Sequence, residues 1–226
     1  MIIHFTNDFE KLLSIISSNS FRLRYCGEYF GDKKGRIVSR AAHPMVSFSS
    51  YTHEELPSKI VTYGGYGIAL SKTWAIENSL SPVNYIDKNS PIAQGLIALL
   101  KSRQLGTLPK HLRLPVIQLK CFTKHVYGYN SHFKVDDFDF HSESEWRYVP
   151  TIKQIKGNRI SVNFSSYNKN NIKYNSKLRA FPLKFSFKDI KYIYVTNKYE
   201  RNKIISLFNL NKNQVILTPW VYNNEE

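Results

Sequence analysis

Apolar positions along this chain recur at two spacings, one typical of strands and one typical of helices. Residues 2–5 predict a short strand at the N-terminus. The apolar positions that follow it fall at helical spacing: Phe9, Leu12, Leu13 and Ile16. Asn7 and Glu10 resemble a capping box at the start of this segment. We therefore expect a strand followed directly by a helix that ends near Asn19.

The same pattern predicts further elements along the chain. Helices should begin at Ser71, Ser90 and Asn197, because each of these side chains can accept a hydrogen bond from a backbone N–H of the first turn. Strands are expected at residues 45–49, 68–70, 116–122, 160–164, 190–195 and 215–217. The Asn- and Lys-rich residues 167–177 predict a loop. Without internal repeats or a low-complexity linker, the pattern indicates a single α+β domain over residues 1–226.

One predicted strand carries charged side chains at alternate positions: Glu143-Ser144-Glu145-Trp146-Arg147-Tyr148. Successive side chains of a strand point to opposite faces, so Glu143, Glu145 and Arg147 would share one face. Trp146 and Tyr148 would share the other face and pack in the core. Taken alone, this pattern is most simply a solvated strand face.

The composition is that of one folded domain. The chain has 226 residues, of which 42% are hydrophobic and 14% aromatic, enough for one well-packed core. No stretch approaches the roughly 18 apolar residues of a membrane helix, and the N-terminus lacks the pattern of a signal peptide. We therefore expect a cytoplasmic protein with no membrane partner. Cys26 and Cys121 have no neighbours at zinc-ligand spacing and should be reduced packing residues.

The net charge of +15 indicates which kind of partner the domain binds. Surplus Lys and Arg gain free energy by releasing counterions from a polyphosphate, so nucleic acid is the first partner to consider. A general compositional bias toward Lys and Asn is the alternative explanation. The candidate contacts to RNA or single-stranded DNA are Arg22, Lys34, Arg36 and Arg147. For Arg147 the alternative role is to hold the carboxylates of Glu143 and Glu145.

A metal centre is not expected. The histidines are dispersed, without the spacing of a helical ligand pair: His4, His43, His53, His111, His125, His132 and His141. The acidic residues Asp136, Asp137 and Asp139 could bind a divalent ion together with Glu145. A solvated acidic loop is the simpler interpretation.

Four spaced motifs together resemble the AbiGi-like abortive-infection family. They are His4-Phe5-Thr6, Met45-Val46-Ser47-Phe48-Ser49, and the segments 66–75 and 143–147. The same order of an early His-x-Thr, a Ser-rich strand and a late Glu is more remotely similar to the ADP-ribosyltransferases, including the DNA-modifying DarT group. Likeness of fold does not by itself establish an activity.

The remoter resemblance implies an ADP-ribosyltransferase-like split β-sheet core with flanking helices, and NAD as the bound substrate. In that pattern an early His contacts the nicotinamide-side ribose or phosphates, and Arg22 or Arg24 supplies the cation. A tyrosine stacks on the nicotinamide. The residues implied to contact NAD are His4, Thr6, Arg24, Ser47, Ser49, Tyr63 and Tyr66.

The two glutamates fit the chemistry of such an enzyme. Cleavage of the bond between nicotinamide and ribose creates an oxocarbenium-like sugar, which a nearby carboxylate stabilises. Glu145 is the candidate for this role. Glu143 would orient or deprotonate the acceptor.

The sequence therefore predicts an NAD-dependent ADP-ribosyltransferase that modifies nucleic acid, with RNA preferred over DNA. It would be the toxic effector of a phage-defence or toxin–antitoxin system, restrained by a cognate antitoxin protein. Two alternatives stay open. The AbiGi-like family has been labelled antitoxin-type, so the chain could be a non-catalytic module that binds a partner or nucleic acid. The other alternative is a metal-dependent nuclease.

Overall fold

The computed structural model describes residues 1–130 and 134–222. The helices are α1 (Phe9–Ser18), α2 (Lys72–Glu77), α3 (Pro91–Leu105), α4 (Arg113–Cys121), α5 (Phe164–Lys169), α6 (Asn171–Ser176) and α7 (Lys198–Phe208). The strands are β1 (Ile2–Thr6), β2 (Ser20–Phe21), β3 (Arg24–Gly31), β4 (Ile37–Ser49), β5 (Ile60–Val61), β6 (Tyr66–Leu70), β7 (Ser81–Pro82), β8 (Asn84–Ile86), β9 (Thr123–His125), β10 (Tyr127–Asn130), β11 (Val135–Asp139), β12 (Glu145–Tyr148), β13 (Val162–Asn163), β14 (Leu183–Lys184), β15 (Ile190–Val195), β16 (Val215–Leu217) and β17 (Val221–Tyr222).

The ends of α1 follow from local chemistry. Asp8 has an extended backbone, and its carboxylate accepts a hydrogen bond from the Lys11 N–H at 2.8 Å. At the other end Asn19 adopts a left-handed conformation with φ 47°, which ends the helix where the sequence predicts. The cap is thus Asp8, one residue beyond the predicted Asn7.

The other predicted helix starts are confirmed. Ser71, Ser90 and Asn197 each accept a hydrogen bond from the backbone N–H three residues ahead, at 3.1, 3.2 and 2.9 Å respectively. These caps satisfy donors that the helix itself leaves unpaired. Local sequence alone therefore fixes where α2, α3 and α7 begin.

A large mixed sheet carries most of the structure and confirms the predicted α+β class. Its strand order is β16-β15-β6-β1-β4-β12-β7, with β3 and β13 also paired to β4. The pair β15 and β16 is parallel, and β1, β6 and β12 pair antiparallel to their neighbours. The long strand β4 pairs with β3 and β13 through its first half and with β1 and β12 through its second.

Apolar residues cover both faces of this sheet. Ile2 and Ile3 of β1 are both fully buried, but they belong to separate apolar clusters. Because consecutive strand residues point to opposite faces, the two clusters lie on the two sides of the sheet. Leu12 and Ile16 of α1 join the cluster of Ile2, and Trp220 joins that of Ile3.

Three predicted elements are wrong. Residues 116–121 lie in α4 instead of a strand, with Val116, Ile117 and Cys121 buried. A short apolar run fits a buried helix as well as a strand, so periodicity could not separate the two. Of the strand predicted at residues 160–164, only Val162–Asn163 forms a strand (β13), because Phe164 is the first residue of α5.

The segment 167–177 is not a loop, since residues 167–169 lie in α5 and residues 171–176 form α6. Two tyrosines hold these short helices over β3. The Tyr167 hydroxyl donates to the carbonyl of Tyr25 at 2.8 Å, and the ring of Tyr174 packs edge-on against that of Tyr25. Packing against β3 therefore orders a polar segment that its composition predicts to be irregular. In the described residues no helix is long and apolar enough to cross a membrane.

Gly64 gives a test of how the loop before β6 is held. Its φ is 105°, and a Cβ would overlap Asn7 Cα and lie 2.7 Å from the Thr6 carbonyl oxygen. We expect Gly64→Ala to lower the free energy of unfolding by about 3 kcal/mol, since strain and overlap add. Gly35→Ala is the control, because Gly35 also has a positive φ (75°) but no atom within 4 Å of a Cβ. It should cost only about 1 kcal/mol, and equal losses in urea unfolding would contradict this account.

Candidate functional site

A cavity of about 510 Å³ opens between α1, β1, β3, β4 and β12. Most of the residues predicted from the sequence line it: His4, Thr6, Arg22, Arg24, Ser47, Ser49, Tyr63, Glu143, Glu145 and Arg147. The register of the sheet explains part of this convergence, because Glu145 pairs with Ser49 and Arg147 pairs with Ser47 across β12 and β4. Residues far apart in the chain thus meet in one cavity.

A buried ion pair forms the floor of the cavity. Arg147 is 1% exposed, and its Nε and Nη2 donate to the two carboxylate oxygens of Glu145 at 2.7 and 3.0 Å. Its Nη1 donates to the Cys121 carbonyl at 2.6 Å, and Nη2 also reaches the Glu28 carboxylate at 3.2 Å. Burial of a guanidinium is tolerated only when it is paired in this way.

Lys124 of β9 joins the two glutamates. Its Nζ lies 2.7 Å from Glu143 Oε2 and 3.4 Å from Glu145 Oε2, and it stands over the Phe140 ring at 4.1 Å. Burial opposes ionisation of Glu145, but the charges of Arg147 and Lys124 prevail and lower its pKa to about 2. Glu145 is therefore a carboxylate at neutral pH.

The second glutamate has the opposite tendency. Burial raises the pKa of Glu143, and the charge of Lys124 only partly compensates. The cavity therefore holds two carboxyl groups whose pKa values are separated by their surroundings. Such a pair can divide electrostatic and proton-transfer roles between its members.

His4 lies beside the floor as a neutral group. Its Nδ1 is 2.9 Å from the Ser47 carbonyl, which can only accept, so Nδ1 carries the proton. Burial lowers the pKa of His4, although the hydrogen bond to Ser47 works against this. The Nε2 atom is then an acceptor, suited to a hydroxyl of a bound molecule.

Arg22 and Arg24 line the walls of the cavity. Arg22 and Arg24 are both exposed, and neither guanidinium forms an ion pair or hydrogen bond with the described residues. Arg24, Cys26 and Glu28 alternate along β3, so they share the face of this strand that lines the cavity. The site therefore combines free cations with paired carboxylates, an arrangement suited to a ligand that carries both phosphate and hydroxyl groups.

Glu143 does not lie on the strand that the sequence predicts. Residues Phe140–Glu143 form a 3-10 turn, and Ser144 has a left-handed conformation with φ 45° before β12 begins at Glu145. Strand alternation therefore does not place Glu143 with Glu145. Their shared contact with Lys124 does so instead.

Other predicted site residues lie elsewhere. The Tyr66 hydroxyl donates to Glu200 at 2.8 Å, which directs this ring away from the cavity. Lys34 and Arg36 lie in the turn between β3 and β4, outside the cavity. Arg147 is predicted to contact nucleic acid, whereas its guanidinium is buried and donates to Glu145, Glu28 and the Cys121 carbonyl.

Sequence reasoning missed two residues of the floor, Glu28 and Lys124. Each is an isolated charged residue in its local sequence, so no motif marks it. Only the pairing of β3 with β4, and the contact of Lys124 with Glu143, bring them to the site.

No cluster of three or more His, Cys, Asp or Glu that could hold a metal ion occurs among residues 1–130 and 134–222. Asp136, Asp137 and Asp139 lie exposed on β11. His132 is outside the described residues. The groups that line the cavity are charged and hydrogen-bonding side chains together with apolar ones.

Comparisons with known proteins point to one family. Residues 19–196 match the family model described as the abortive phage resistance protein AbiGi, antitoxin. The chain is similar to the abortive phage resistance protein AbiGi of Lactococcus lactis subsp. cremoris, at 29% identity over 168 residues, covering 64% of this chain and 66% of the relative. The chain thus spans about two thirds of the length of this curated relative. No solved structure matches it, and the remoter resemblance to ADP-ribosyltransferases is not supported by these matches.

The buried ion pair gives a second test. We expect Arg147→Met to lower the free energy of unfolding by about 3 to 5 kcal/mol, because Glu145 loses its main partner inside the protein. Arg36→Met is the matched control, since Arg36 pairs with Asp32 while its side chain is 70% exposed. It should cost less than about 1 kcal/mol. Urea unfolding followed by circular dichroism measures both, and equal losses would show that Arg147 is not structurally essential.

Proposed function

Because the chain belongs to the AbiGi family of abortive phage resistance proteins, we propose that it acts as the antitoxin-type partner of a toxic protein in such a system. It would restrain that protein by binding it. The family description supports this function, and one feature of the fold supports it independently. That feature is the solvent-facing side of α3.

Helix α3 exposes apolar residues where a solvated helix usually carries charges. Ile92 and Leu99 are 67% and 37% exposed, and residues 91–100 include no charged residue. Gly95 lies between them on the same face, and a Cβ there would meet no atom within 4 Å. Apolar helix faces are normally covered by protein. A glycine costs about 1 kcal/mol relative to alanine in a helix, and close approach of a partner would account for it.

The state of Glu145 also favours binding over catalysis. Both of its carboxylate oxygens are held by cations of the chain, at 2.7 and 3.0 Å from Arg147. A substrate hydroxyl would have to compete with these charge-assisted hydrogen bonds. The ion pair of Glu145 and Arg147 is therefore better suited to holding the surrounding strands in place.

Growth of cells tests the antitoxin function. In a strain with the complete resistance locus, we expect deletion of this gene to stop growth without phage, because the toxic partner is released. Supplying the chain from a plasmid should restore growth, and so should Glu145→Gln, provided that it folds. The double variant Ile92→Asp/Leu99→Asp should fail, since it places two charges in the apolar contact.

The matched control is Ile172→Asp/Leu207→Asp, which changes two exposed apolar residues of α6 and α7. It should restore growth like the native chain. Unchanged growth on deletion of the gene would contradict the antitoxin function. If both double variants restore growth while folding normally, the partner does not bind α3.

A second function is favoured by the convergence of predicted residues in the cavity. We propose as the alternative that the chain transfers ADP-ribose from NAD to nucleic acid. The charged groups of the site match the groups of NAD. Arg22 and Arg24 suit its pyrophosphate, and Glu145 suits a ribose hydroxyl.

The residues divide the chemistry in this alternative. The bond that breaks in this reaction would be the one between nicotinamide and ribose in NAD. Glu145, ionised at neutral pH because its pKa is lowered to about 2, would stabilise the positive charge that develops on the ribose. Glu143, whose pKa is raised by burial, would accept the proton of the attacking group.

Labelled NAD tests this alternative. The protein would be incubated with NAD labelled in its ADP-ribose part and with RNA, single-stranded DNA or bulk protein. If the transferase function holds, label should be retained on nucleic acid and fall at least 100-fold in Glu145→Gln, the lower end of about 10²–10³ for loss of one stabilising group. Glu77→Gln, exposed at the end of α2, is the control and should retain full activity. Label on no acceptor would exclude this function and leave the antitoxin function standing.

A further inference from the structure

The positive charge of the chain is unevenly distributed. Residues 88–135 contain no Asp or Glu, although Lys and Arg recur through them. Lys101 and Lys110 of this segment are exposed at the end of α3 and just before α4. The segment itself supplies no acidic group to offset these charges, and a positive field attracts polyanions.

A second basic segment lies at the turn between β3 and β4. Lys33 and Lys34 are exposed there, and Asp32 is the nearby carboxylate. Asp32 accepts hydrogen bonds from the backbone N–H of Lys34 and Arg36 at 2.9 and 3.0 Å, and it pairs with the Arg36 guanidinium at 2.7 Å. Its charge is therefore neutralised within the turn by Arg36, and neither lysine pairs with any part of the chain that the structure describes.

One hydrogen bond brings the two segments together. Gln104 in the last turn of α3 donates from Nε2 to the carbonyl of Val38 in β4 at 2.6 Å. Lys101 lies three residues before Gln104, hence on the same face of the helix. We call the four lysines Lys33, Lys34, Lys101 and Lys110 the basic edge.

These lysines take no part in the ion pairs and hydrogen bonds that hold the described residues together. None of the four side chains forms an ion pair or hydrogen bond with them. The neighbouring Arg113 differs, because it donates to the carbonyls of Gly106 and Leu108 at 3.0 and 3.2 Å and so fastens the corner after α3. The basic edge is therefore free for a ligand.

We propose that the basic edge binds single-stranded nucleic acid. The lysines would contact phosphates, and exposed flat or apolar side chains beside the turn would contact bases. Tyr29, on β3 directly opposite Arg40, is 51% exposed, and Ile37 is 55% exposed. Aromatic side chains next to cations are the usual combination for single strands. None of these residues lines the cavity, so the inference does not depend on either proposed function.

Fluorescence anisotropy tests this surface. The probes are a labelled 20-nucleotide RNA, single-stranded DNA of the same sequence, and the corresponding DNA duplex, each at several NaCl concentrations. The variant changes Lys33, Lys34, Lys101 and Lys110 to Glu. The matched control changes Lys188, Lys191, Lys198 and Lys212 to Glu, four exposed lysines around the β15 and β16 end of the sheet, with the same change in net charge.

We expect the native protein to bind single strands more tightly than the duplex, and the basic-edge variant to lose at least 10-fold in affinity. The slope of log affinity against log salt concentration should become less steep by about 3, because each of the four lost phosphate contacts to a single strand contributes about 0.7. The control should lose clearly less. Thermal melts by circular dichroism establish that both variants fold.

Three results would overturn the inference. Equal losses in both variants would show that net charge alone drives binding. A preference for the duplex would exclude the single-strand surface. Competition by polyglutamate as effective as that by RNA would assign the edge to an acidic polypeptide instead.

Discussion

The buried guanidinium of Arg147 is the constraint on which the surrounding structure depends. A charge removed from water is tolerated only when partners replace its hydration. The partners here come from distant parts of the chain: Glu145 in β12, Glu28 in β3 and the Cys121 carbonyl at the end of α4. Each of these elements must be in place before the charge is satisfied. One side chain thus couples a helix end to two strands of the large sheet.

A second buried cation lies close to this network. Lys120 is 2% exposed, and its Nζ contacts the Glu28 carbonyl and His43 Nε2, both at 3.3 Å. Burial lowers the pKa of Lys120 to about 8, and burial together with Lys120 lowers that of His43 to about 3. His43 is therefore neutral, with its Nδ1 proton donated to the Ile160 carbonyl and Nε2 left as an acceptor for Lys120. The floor of the cavity rests on paired groups that leave little freedom to rearrange.

Three separate regions of the molecule then carry different chemistry. The cavity holds charged groups fixed by this network, α3 presents an apolar face, and the basic edge presents exposed lysines that pair with none of the described residues. Membership of the AbiGi family places the chain among abortive phage resistance proteins. None of the apolar residues of the α3 face lines the cavity, and none belongs to the basic edge. The two proposed binding surfaces can therefore be tested by separate mutations.

The sequence by itself determined the elements whose signals are local, and it determined the family. The caps at Ser71, Ser90 and Asn197 act within four residues, so they can be read without a fold. The spaced motifs identified most of the residues around the cavity. Tertiary structure decided what depends on distant partners. Residues 116–121 became helical, Lys124 reached Glu143, and Arg147 paired with Glu145 inside the protein, because burial and ion pairing arise only when distant segments pack together.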